Sequence, residues 1–217
     1  MAFMIINKDD VQQEGESGYI TKSGIYDVTL KHVEVVNTTN GAVSVNYFFD
    51  KLMAYNNNIL GTNGQPTFGY KILEALATVV GEDELSDPEP TTVTFKKGAK
   101  ELNCIPELTN VPVKVWIQFG YRMYKGDIQE DTSVRRFYRQ SDGASGSEMI
   151  TNKDIGTRLE KDTAVATEVR YEDGLTAESV AAWKKKQQSD SATKGSAPIK
   201  AAGFPGAKKA TGFPGAK

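Results

Sequence analysis

Thirteen residues, Val113 to Lys125, read VKVWIQFGYRMYK, and they alternate so regularly that they demand a long strand. Val113, Val115, Ile117, Phe119, Tyr121 and Met123 fall on one side, and Lys114, Trp116, Gln118, Arg122 and Tyr124 on the other. A turn-like GDIQEDT follows, and SVRRFYRQ then returns as an antiparallel partner carrying Arg135, Arg136, Phe137, Tyr138 and Arg139. Upstream, Tyr26, Val28 and Leu30 share one parity while Val33 and Val35 take the other, which predicts a bulge near Lys31 and His32. After NTTNGA, a turn signal, Val43, Val45, Tyr47 and Phe49 alternate with Ser44, Asn46, Phe48 and Asp50. A third strand is expected within Leu52 to Leu60.

FGYKILEALATVVG follows GTNGQP, with Phe68, Ile72, Leu76 and Val79 at the spacing of one helical face. The acidic EDELSDPEP is expected to lack regular structure, with short strands near Thr91 to Phe95 and Leu102 to Ile105. A short helix capped by Thr176 is expected over AESVAAWKKKQQ. This order predicts a mainly β protein, an OB-like Greek-key barrel with one amphipathic helix between strands 3 and 4, a short late helix and a disordered C-terminal tail. A β-sandwich with one inserted helix fits the same string.

The 217 residues carry 26 basic and 28 acidic side chains, a net charge of −2. One domain is expected over 1–188 and a disordered basic tail over 189–217, where small, polar and turn-forming residues leave too little apolar surface to offset the entropy of ordering. The tail holds five lysines and one aspartate, net +4, so the body is at −6. Within it GFPGAK occurs twice, at Gly203 to Lys208 and Gly212 to Lys217. Ser141 to Gly174 mixes glycines, charges and isolated aliphatics, which suits either a packed or a solvated segment. The start has neither a basic leader nor a long apolar run, and no segment approaches the ~20 apolar residues that span a bilayer, so a soluble, cytoplasmic protein (host cytoplasm if viral) is expected. A single cysteine and a single histidine leave no intramolecular disulfide and no structural zinc site, and suit a reducing compartment.

Catalytic signatures are lacking: there is no GxxxxGK[ST] loop, no GxSxG elbow and no GxGxxG after a strand. His32 is expected as a bend residue and Cys104 as a small buried apolar one, so no enzyme, cofactor or metal is predicted. Glu82, Asp83, Glu84, Asp87 and Glu89 form the richest acidic cluster, and a magnesium-dependent nuclease is one alternative. A virion or assembly protein without nucleic-acid affinity is another.

The most informative stretch is Lys114 to Arg139, with six basic and six aromatic side chains, its acids Asp127, Glu130 and Asp131 being expected in the turn. Unpaired bases stack on aromatic faces for about 1–3 kcal/mol each without demanding a sequence. Trp116 and Tyr124, with Phe48, Tyr55 and Phe137, are the expected stacking residues. Lys114, Arg122, Lys125, Arg135, Arg136 and Arg139 are the expected phosphate contacts, acting through counterion release. The competing arrangement puts Trp116 and Tyr124 beneath a second apolar layer, such as the late helix around Val180 and Trp183, with the arginines solvated. The prediction is sequence-independent binding of single-stranded DNA.

The runs GIYDVTLKHVEV, YFFDKL, FGYKILEALATVVG and VKVWIQFGY resemble the phage-encoded single-stranded DNA-binding proteins of the OB-fold type, across Gly24 to Gln140. The resemblance implies protection of single strands in phage DNA replication or recombination, with a flexible C-terminus that contacts replication or recombination proteins. Many such proteins end in an acidic peptide with an aromatic tip. Here the terminal segment is basic and its phenylalanines sit inside GFPGAK, so the acidic-tip contact does not carry over; the two copies suit a binding peptide for a partner, lysine contacts to DNA phosphates or to the acidic body of a neighbouring subunit, or a solvated duplicated linker.

Overall fold

The first strand, β1 (Gly24–Asn37), is long enough to pair with different strands along its two halves. In the computed structural model, which describes residues 19–95 and 98–194, Gly24 to Leu30 pair with Val111 to Ile117 of β6 (Val111–Tyr124). Leu30 to Asn37 pair with β2 (Val43–Phe49) along the opposite edge. The register with β2 shifts between Leu30 and His32, where the parity of the apolar residues changes, so Val28, Leu30 and Val33 all reach the core. β2 in turn pairs with β3 (Met53–Leu60).

After β3 comes α1 (Phe68–Val80). The Thr67 hydroxyl accepts from the Gly69 amide at its start, and Gly81 closes it with φ of 89°, a conformation glycine adopts without strain. Ile72, Leu76 and Val79 are buried as the spacing predicts, Leu73 is buried as well, and Phe68 points out. Gly69 lies directly over β3, where a Cβ would overlap the carbonyl oxygen of Asn58. Backbone cannot yield as a side chain does, so Gly69→Ala is expected to lower stability by about 1–3 kcal/mol. A fall in the urea midpoint at constant slope is the check.

β4 (Glu89–Phe95) and β5 (Gly98–Cys104) form a hairpin that meets β1 at Glu34 and Cys104. β6 then runs back along β1 and turns into β7 (Asp127–Arg139) through Lys125 and Gly126 alone, both with positive φ. The turn expected over GDIQEDT is therefore two residues, and Asp127, Glu130 and Asp131 belong to a strand. Ser141 to Gly174 is a packed segment: it supplies α2 (Gly146–Thr151), α3 (Thr157–Thr163) and the short β8 (Arg170–Tyr171), which pairs parallel to Gly120 and Tyr121.

The fold is thus mainly β and antiparallel, with the expected amphipathic helix after the third strand. β7 passes close to β3, but no ladder joins them among the described residues and the sheet is not closed. Tyr47, Phe49 and Phe137 pack together at the centre of the core, with ring centroids 5.4–6.3 Å apart.

The chain divides into two units, 1–176 and 177–217. In the second, α4 (Ala177–Lys194) carries no apolar stripe and runs past the expected boundary at 188. Both GFPGAK copies lie outside the described residues. Among those residues no helix is long and apolar enough to cross a membrane.

Candidate nucleic-acid interface

The β6–β7 ribbon has an inner face and an outer one. Val113, Val115, Ile117, Phe119 and Tyr121 are buried in the core, as their parity demands. On the outer side the ribbon divides into a covered base and an open tip.

At the base, Tyr138 stands opposite Lys114 and Arg136 opposite Trp116. Both are engaged by α3, whose Asp162 carboxylate is buried. Its Oδ2 accepts from the Tyr138 hydroxyl at 2.7 Å, from Arg136 Nε at 2.8 Å and from Arg158 Nε at 3.0 Å. Burial pushes the Asp162 carboxyl up, but the hydrogen bonds from Tyr138 and Arg158 and the two guanidinium charges outweigh it and hold it below the usual carboxylate range. α2 is fixed by the same logic: Ser145 and Glu148 form a capping box, and Glu148 also accepts from the Arg158 amide at 2.7 Å.

Two more of the expected phosphate contacts have partners within the protein. Lys114 Nζ lies 2.6 Å from Asp27, and Arg139 makes a two-pronged pair with Asp142 at 2.5 and 2.9 Å. Trp116 is half-buried, and its indole nitrogen is buried with no acceptor among the described residues. The wall of rings and cations expected from Lys114 to Arg139 is interrupted at this end.

Two expected stacking residues are corrected outright. Phe137 is 0% exposed and packs on Tyr47 and Phe49, because a register shift in the ribbon leaves Arg135 as an extra residue and turns Phe137 inward. Phe48 is 6% exposed and lies edge-on to Phe95, since the β4–β5 hairpin covers the face that the strand pattern marked as polar. The side chain of Tyr55 lies outside the described residues.

At the tip the picture reverses. Tyr124 is 53% exposed, Lys125 Nζ sits 5.2 Å from its ring centroid, and Arg122 is exposed with no ion pair among the described residues. The acids nearby are partly occupied: Asp131 pairs with Arg170 at 3.1 Å and Glu130 accepts from the Tyr121 hydroxyl. The Arg122–Tyr124–Lys125 cluster is held by the two-residue turn and by the Met123 amide, which donates to Asp173 at 2.9 Å.

No known protein family and no curated protein matches this sequence.

A second aromatic–cation pair was not expected. Phe68, 60% exposed, has the Arg135 guanidinium 5.7 Å above its ring. The spacing puts Phe68 on the helix's apolar stripe, but as the first helical residue after the Thr67 cap it stays exposed; its position directly after a Pro-Thr start is the signal that marks it. His32 sits at the register shift with its Nδ1 buried, and burial, aided by Lys31, lowers its pKa. Cys104 is buried, and that burial raises its thiol pKa. Among the described residues, no group of three or more histidine, cysteine or acidic side chains is arranged to hold a metal ion.

Proposed function

We propose that this protein binds single-stranded DNA without sequence preference, and protects it during phage DNA replication or recombination. The observation that carries the reading is the exposed Tyr124 ring flanked by Lys125 and by Arg122, which has no ion pair among the described residues, at the ribbon tip. A base stacks on such a ring while the two cations meet the flanking phosphates. The Phe68–Arg135 pair offers a second platform of the same chemistry.

The strand order supports the reading too. If the β4–β5 hairpin is an insertion, then β3-β2-β1-β6-β7, with α1 after the third strand and β7 beside β3, follows the plan of a partly open OB-like barrel. The β6–β7 turn then corresponds to the loop between the fourth and fifth barrel strands, which in such folds contacts oligonucleotides. The net charge of the body does not oppose this, because local potential governs a small contact surface.

A gel shift comparing an oligothymidylate with a duplex of equal length, with and without magnesium, tests the proposal. The expected result is retardation of the single strand alone, without degradation. Equal affinity for the duplex, magnesium-dependent cleavage, or no shift at low salt overturns it, the last leaving an assembly role. Tyr124→Ala is expected to weaken binding by about 1–3 kcal/mol, roughly 5- to 150-fold, with unfolding unchanged.

A further inference from the structure

A groove of about 960 Å³ runs between α1, the loop after it and α2, entirely within unit 1–176. Its floor is apolar, built from Val35, Ile59, Leu73, Ala77 and Ile105, with Met149 and Ile150 on one wall. Ile150, 76% exposed, is the most exposed of the large apolar side chains there. The rim is acidic: Glu74, Glu82, Asp83, Glu84 and Asp87 line it, all exposed, and none forms an ion pair among the described residues. The loop that carries four of them is tied down at Ser86, whose amide donates to Glu107 at 3.2 Å. It is an apolar slot bordered by carboxylates that no cation among the described residues neutralises.

The chain also contains a segment of the complementary kind. Residues 195–217 hold Lys200, Lys208, Lys209 and Lys217 and no acid, and their only aromatics are Phe204 and Phe213, one in each GFPGAK copy. We propose that this groove receives a GFPGAK segment from a second copy of the chain, phenylalanine and proline on the apolar floor and lysines against the acidic rim. The volume falls in the range that holds a few side chains of a peptide. Each chain has this groove once and the hexapeptide twice, so hexapeptides outnumber such grooves two to one and a second copy can be supplied even where a chain fills its own. Once one chain's hexapeptide is seated in a second copy, that copy's own hexapeptide is held near the first chain's groove, and this reciprocal exchange raises the effective concentration and turns weak single contacts into self-association. The lining residues include none of Arg122, Tyr124, Lys125, Phe68 or Arg135, so the inference is independent of DNA binding.

Sedimentation equilibrium of the full chain without nucleic acid tests it. Wild type is expected to associate with rising concentration, and to dissociate as salt screens the rim. The double variant Phe204→Ser with Phe213→Ser, and separately the triple variant Glu82→Lys, Glu84→Lys, Asp87→Lys, are each expected to weaken association at least tenfold. Mixing that groove variant with a chain carrying Lys208→Glu, Lys209→Glu and Lys217→Glu is expected to restore it. Wild type that stays monomeric overturns the proposal, as does association indifferent to the phenylalanines or an absence of rescue on mixing. A monomeric wild type alongside a free GFPGAKKATGFPGAK peptide that binds only the phenylalanine-less chain would assign the groove to the chain's own tail, and also overturns the second-copy assignment.

Discussion

Asp162→Ala is expected to cost about 1–3 kcal/mol, because it removes the charged acceptor of Arg136 and Arg158, which at 30% and 46% exposure stay partly hydrated, and leaves the buried Tyr138 hydroxyl without its partner. Asp162 is 4% exposed and is the shared acceptor of Arg136, Arg158 and Tyr138. Asp162→Asn keeps an acceptor for the phenol and loses the charge, so its loss is expected to be smaller. The wild-type contribution has a defined pH window. Asp162 titrates below its ordinary value of about 3.9 when folded, so its contribution is complete above that value and fades as pH falls through the depressed folded pKa. Urea unfolding at pH 7 and at successively lower pH reads both effects: the gap between wild type and Asp162→Ala should be constant near neutrality and narrow only in acid. A gap that is the same throughout would mean that the carboxylate is not the stabilising species.

Phe137→Ala is expected to be more severe, about 3–5 kcal/mol, as a large ring is removed from the packed centre of the core. Phe137 is fully buried and touches both Tyr47 and Phe49 at the centre of the core. The milder Phe137→Leu separates a packing role for this ring from a base-stacking one: stability should fall while affinity for single strands, per folded molecule, stays that of wild type. Tyr124→Ala should do the opposite. A Phe137→Leu chain that is fully folded but binds DNA poorly would return Phe137 to the interface.

How much of this was legible in the sequence depended on whether the deciding contact was local. The change of parity at Lys31 and His32 is written in β1 itself, and the register shift occurs there. The alternation of β6 likewise fixed which of its residues enter the core, apart from Met123 at the exposed tip. Phe48 was misplaced because the residue that covers it, Phe95, comes from a hairpin 47 positions later, and strand alternation says nothing about a second layer. The sequence marks Arg136 as a phosphate contact and counts Tyr138 among the aromatics, whereas Asp162, from an α3 that periodicity does not reveal, engages both. Lys114 was read as free although its partner Asp27 lies on the adjacent strand, a pairing set by register and not by composition. The ribbon was also longer than expected: a strand that projects from the body needs no apolar face at its tip, so DIQEDT resembled a turn.

The account rests on the ribbon tip, and fluorescence anisotropy of a labelled oligothymidylate tests it most directly. Full-length wild type is to be compared with a chain carrying Arg122→Gln, Tyr124→Ala and Lys125→Asn, the last chosen because asparagine tolerates the positive φ at that turn. Wild type should bind at low salt, and the variant, folded as wild type is by urea unfolding, should bind at least about tenfold more weakly. Its plot of log affinity against log salt should be shallower by roughly 1.4, for two lost phosphate contacts. Equal affinity and equal slope for the two chains, or no binding by wild type at low salt, would contradict the account.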